Sequence, residues 1–197
     1  MRLGLLIILM VMPVLVWANG GVFPCGSWGH GSGGTCSSTA DFSYTSLDSY
    51  RSIGSDIYTD SYVGIKWQGT DRSVCRVDFY LQESGDISSL SFKASVYTIN
   101  GDGDLDTLIG TSDTLAGSSI TAAGWYTFTF SSELTLATNS VIVVSRTDPT
   151  NDDGTNKAQM NYTYNTSADT DFVYFTSTGD YVNALDRASA VRLYSYE

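Results

Sequence analysis

Between Ser73 and Arg146 the chain runs through four short alternating stretches, SVCRVDFYL, LSFKASVYTI, WYTFTF and VIVVSR, separated by Gly, Asp and Ser. Successive side chains of a strand point to opposite faces, so runs of this kind restrict the chain to β-structure. From Trp125 to Phe130 the alternation sets Tyr126, Phe128 and Phe130 on one face and Trp125, Thr127 and Thr129 on the other, the pattern of a half-buried strand. Past the N-terminal apolar run no window sustains helical spacing, and abundant Thr, Ser, Tyr and Val oppose helices.

Further strands are predicted over Tyr62 to Gln68, with Val63, Ile65 and Trp67 inward, and over Ser73 to Glu83. In the second of these Cys75, Val77, Phe79 and Leu81 alternate with Arg76, Asp78 and Tyr80. Others are expected around Phe92 to Val96, Leu108 to Leu115, Gln159 to Tyr164, Phe172 to Thr176 and Ala190 to Tyr196. About nine strands at this spacing predict an all-β fold, an antiparallel two-sheet β-sandwich of jelly-roll type.

The ends and the composition bound the rest. MRLGLLIILMVMPVLVWA has a basic start at Arg2, an apolar run and small residues before Asn19, as in a secretory signal peptide. The expected organisation is a signal over 1–18, a flexible Gly/Ser-rich segment over 19–60 and a sandwich domain over 61–197. Removal of the leader predicts a secreted or cell-surface protein with no membrane association. Acidic residues outnumber basic ones by 21 to 10 and the formal charge is −11. That surface repels phosphate, so nucleic acid is excluded as a partner. In an exported chain Cys25 and Cys36, separated by a Gly/Ser loop, are plausible disulfide partners, which leaves Cys75 as a buried thiol. Cys25, His30 and Cys36 fall short of the four ligands of a structural zinc site.

A resemblance follows from these strands. The order of a VDFYL strand, a strand and loop before IGTS, a WYTFTF strand and a VIVVSR strand, closed by FVYFTSTGDYVNALDRASAVRLY, resembles the carbohydrate-binding-like, or galactose-binding-like, jelly-roll modules of secreted bacterial and phage tail proteins. It spans Tyr62 to Tyr194 and rests on structural positions. It implies the fold and a glycan ligand without a transferable binding motif.

Catalytic sets are scarce. The single histidine, His30, sits in GSWGHGSGG, and Glu is confined to Glu83, Glu133 and Glu197. This composition argues against a triad and against an evident carboxylate pair, although a small jelly-roll polysaccharide-degrading enzyme stays open. Two acidic loops suit structural calcium: Asp102, Asp104 and Asp106 in one, and Asp148, Asp152 and Asp153 in the other. The first departs from an EF-hand at Leu105 and Thr111. Sugar binding by a sandwich needs exposed rings with polar groups around them. Trp125, Tyr162, Tyr164 and Tyr174, with Arg146, Asp148 and Asn151 as a polar rim, are the candidates. The sequence thus predicts a non-catalytic module recognising extracellular or cell-surface glycan. Its rival is a structural or adhesive surface or virion-associated sandwich that self-assembles.

Overall fold

A computed structural model of the chain describes residues 35–54, 62–147, 155–164, 170–176, 178–185 and 187–196, with backbone alone at Tyr174 and over 181–185. All of them belong to the unit Gly34–Glu197. The leader, Cys25 and His30 lie outside the described residues. Among the described residues no helix is long and apolar enough to cross a membrane.

The strands are β1 (Phe42–Tyr44), β2 (Ser49–Ile53), β3 (Tyr62–Trp67), β4 (Arg72–Ser84), β5 (Ser91–Ile99), β6 (Leu105–Thr111) and β7 (Leu115–Ala116), followed by β8 (Gly124–Leu136), β9 (Val141–Arg146), β10 (Lys157–Thr163), β11 (Thr170–Phe175), β12 (Tyr181–Leu185), β13 (Ala188–Ser189) and β14 (Val191–Tyr194). They form two antiparallel sheets of seven strands each.

The first sheet contains the order β2-β10-β4-β8 and the second β3-β9-β5-β6. From β2 to β10 the chain passes back and forth between these sets except where β5 turns directly into β6 within the second, which is the winding of an eight-stranded jelly roll. The predicted class therefore holds, with additional strands around that core. β11 and β12 extend the second sheet beyond β3. β10 and β4 remain paired from Lys157↔Ser84 to Met160↔Leu81 and then diverge. The last strands fill the gap: β13 pairs with β10, β14 with β4, and β1 lies along β14.

The core lies between the sheets. Val77, Phe79, Leu81, Phe128, Met160 and Leu193 from the first sheet meet Ile65, Phe92, Ile142, Val144 and Phe172 from the second. Trp67 is core as expected, with Nε1 donating to the Thr70 carbonyl at 3.0 Å and Phe42 edge-on at 5.2 Å. β9 is buried along its whole length because its other face joins a second apolar cluster with Val173 and Phe175.

Three expectations need correction. The sandwich starts before residue 61, because β1 and β2 are already strands of the first sheet and Ile53 is fully buried. Their Ser-rich sequence hides alternation that long-range pairing enforces. Cys36 is bonded to Cys75, not to Cys25, with Cα atoms 5.8 Å apart and a sequence separation of 39. Cys75 is consequently no free thiol. It sits where the β4–β8 register jumps from Val74↔Leu134 to Arg76↔Thr129, so β8 places four residues, Phe130 to Glu133, opposite Cys75 alone. That bulge transfers the inward position from Cys75 to Val74, which joins the core.

Candidate functional site

The alternation that sends Val77, Phe79 and Leu81 inward sends Arg76, Asp78, Tyr80 and Gln82 to the outer face of the first sheet. Pairing then sets Trp125 and Thr127 of β8 beside Tyr80 and Asp78, and Arg192 and Tyr194 of β14 beside Asp78 and Arg76. The Tyr80 and Trp125 rings meet edge to face at 5.5 Å, and the Arg192 guanidinium carbon lies 3.9 Å from the Trp125 ring centroid. Asp78, only 6% exposed, accepts hydrogen bonds from the Thr127 hydroxyl at 2.8 Å and the Tyr194 hydroxyl at 2.6 Å. Arg76 stacks on Tyr194 at 3.6 Å, its Nε lying 3.9 Å from Asp78. The carboxylate thus anchors a layer of aromatic rings and guanidinium groups.

Burial, then the hydrogen bond to Asp78 and its charge, raise the Tyr194 hydroxyl above its ordinary value. Stability carried by that proton is complete below about pH 10 and is lost as pH rises through the raised value. Tyr97, raised chiefly by burial, acts in the same direction. Urea midpoints measured from about pH 9 to pH 11 should therefore fall, and less steeply in Tyr194→Phe. Equal slopes for the two proteins would remove Tyr194 as a source.

Along the same face Gln82 donates to Gln159 at 2.9 Å, and Tyr50 is 52% exposed. An open cavity of about 460 Å³ is lined there by Tyr50, Arg51, Ser52, Ser84, Lys157 and Gln159. On the outer face of the second sheet, a cavity of about 430 Å³ has an aliphatic and Phe175 floor beneath Lys66, Asn139 and the loop Asn100–Gly103.

The residues expected to bind sugar divide. Trp125 is half-buried and contributes a ring to the outer face. Tyr162 is a core residue, 7% exposed and 4.7 Å from the Phe172 ring. Tyr164, just past β10, is 59% exposed, with Arg187 above both tyrosines at 4.9 and 4.7 Å. Arg146 forms no rim. It shares the inward phase of Ile142 and Val144, is buried, and packs its aliphatic stem against Gly54, where a Cβ would stand 2.5 Å from Arg146 Cδ. Gly54 also has φ +69°, a second reason for glycine there. The Tyr174 side chain and Asp148, Asn151, Asp152 and Asp153 lie outside the described residues.

The loop holding Asp102, Asp104 and Asp106 closes on itself. Asn100 Oδ1 accepts the backbone N–H groups of Asp102 and Asp104, both at 2.9 Å, while Asp106 lies on β6 with its carboxylate facing the Thr98 and Thr107 hydroxyls. Among the described residues no group of three or more His, Cys, Asp or Glu side chains is placed to hold a metal ion.

Alternation alone exposed Tyr80, Asp78 and Arg76 in the sequence. Their partners Arg192 and Tyr194 could not be assigned without the pairing of β4 and β14. The fold and site together define a jelly-roll sandwich with an aromatic and cationic outer sheet. No known protein family and no curated protein matches the chain in sequence.

Proposed function

We propose that this chain is an exported, non-catalytic jelly-roll module of the carbohydrate-binding-like type, which recognises extracellular or cell-surface glycan on the outer face of its first sheet. The observation that carries the proposal is the Trp125, Tyr80 and Arg192 array, joined along the sheet to Tyr50, Gln82 and Gln159. Half-exposed rings offer faces to sugar C–H groups, and the amides and guanidinium groups offer donors to hydroxyls. Export is supported by the leader-like N-terminus and by the Cys36–Cys75 bridge, since disulfides persist in oxidising compartments.

A glycan array probed with the mature protein tests this function. Trp125→Ala is expected to weaken any binding by about 30-fold, the effect of truncating a central aromatic contact worth roughly 2 kcal/mol. An array silent towards the folded wild-type protein would refute the proposal.

A second reading, self-assembly of an adhesive or virion-associated protein, is favoured by one feature. β6 ends the second sheet's path and leaves Leu108 49% and Ile109 36% exposed, an apolar edge of the type that pairs with another chain. A silent array together with large oligomers on a sizing column would support it.

A further inference from the structure

We infer that the glycan is anionic and extended, a polymer bearing carboxylate or sulfate groups that lies along β4. The inference rests on the glycan-binding function proposed above and specifies its ligand. The chain carries a formal charge of −11, yet its cations are not spread evenly. The outward positions of β4, β8, β10 and β14 among the described residues include Arg76, Arg192 and Lys157, against two acids: Asp78, buried beneath two hydroxyl donors, and the exposed Glu133 in the bulged stretch of β8.

Acids at the margin of this face are tied to backbone. Asp41 accepts the Ser195 N–H at 2.6 Å, and Asp48 accepts the Tyr164 N–H at 3.1 Å together with the Thr163 hydroxyl. These bonds hold the Asp48 carboxyl below the usual range, the Thr163 hydroxyl contributing most. The cavity at the far end of the face is lined by two cations, Arg51 and Lys157, and by no acid among its described residues. Beside it the Asn161 amide nitrogen, buried on the same face, has no hydrogen-bond partner among the described residues.

Distance and field both favour a chain over a single sugar. From Arg76 to Ser84 the strand covers roughly 27 Å at ~3.4 Å per residue, with cations at both ends and rings between. In a molecule whose net charge repels polyanions, a face whose cations outnumber its acids focuses an anionic ligand there and makes its capture sensitive to salt.

The test measures binding of the mature protein to polygalacturonate, a sulfated galactan, a neutral galactan and a single-stranded DNA oligomer, in low and in high salt. Expected is capture of an acidic polysaccharide that weakens at least tenfold in high salt. Arg192→Ala and Lys157→Gln should each weaken that capture severalfold, while the neutral galactan and DNA stay unbound. Each variant's melting curve should match wild type, and either one suffices if the other fails to fold. Equal, salt-independent binding of the neutral galactan would overturn the anionic ligand and leave the glycan-binding function standing. Binding of DNA as tight as that of the acidic polymers would overturn it as a generic anion surface. Failure to bind any polysaccharide would remove the glycan-binding function itself.

Discussion

Removing the Cys36–Cys75 bridge, as Cys36→Ser with Cys75→Ala, should cost about 4 kcal/mol of stability. The bridge closes a loop of 39 residues, and the loop-entropy relation places that closure between the values for short and very long loops. A typical domain is stable by about 5–15 kcal/mol, so the loss consumes a large part of it. Alanine suits position 75, which is 1% exposed, because serine would bury a hydroxyl. Geometry adds to the entropic effect. Cys75 stands alone against the bulged stretch of β8, while Cys36 bridges to Tyr196 beyond β14 and Ser37 donates its N–H to the Ser195 carbonyl. The disulfide therefore fastens the segment leading into β1 to the point where the β4–β8 register is interrupted. Urea unfolding of the double variant, and of wild type with and without dithiothreitol, measures the effect. A loss below about 1 kcal/mol would show that the bridge constrains little that the sheet does not already hold.

The same disulfide shows where sequence legibility ended. Proximity pairs Cys25 with Cys36, and strict alternation through Val77 and Phe79 places Cys75 in the core. Alternation fails at a bulge, and a bulge leaves no mark in a stretch as short as SVCRV. β8 behaves likewise. WYTFTF is legible as a strand, but Ser131 to Glu133 breaks the phase and conceals the continuation to Leu134 and Leu136.

β9 was located with correct bounds, since VIVVSR is apolar whichever face is considered. The same uniformity concealed that Arg146 points inward with Ile142 and Val144. β1 and β2 were illegible because their order comes from partners more than a hundred residues away, Leu193 for Phe42 and Met160 for Arg51. The candidate site was half legible for a related reason. Trp125 emerges from its own strand's alternation, whereas the Arg192 above it and the Tyr194 that binds Asp78 arrive through tertiary pairing.

Phe79→Ala should destabilise the fold by about 4 kcal/mol, within the range measured for truncating fully buried phenylalanines. Phe79 is 0% exposed, faces Phe128 at 6.3 Å between ring centroids, and belongs to a strand with neighbours on both sides, Val191 and Tyr126. The sheet ladders hold the surrounding backbone in place, so the cavity can collapse only slightly and most of the cost persists. Phe79→Leu, which keeps most of the volume, should cost about 1.5 kcal/mol or less. Denaturant unfolding of the two variants checks the order, and a loss for alanine no larger than for leucine would mean that the core repacks freely.

The position also separates stability from recognition. Phe79 lies between Asp78 and Tyr80, which point to the opposite face, so the residue supports the outer array without belonging to it. Tyr80→Ala removes a half-exposed ring and should cost about 1 kcal/mol or less in stability while weakening glycan capture about tenfold. Phe79→Leu should show the reverse, a measurable stability loss with capture by the folded protein retained. If both variants lost capture in proportion to stability, the outer face would be a support for the sandwich and no binding surface.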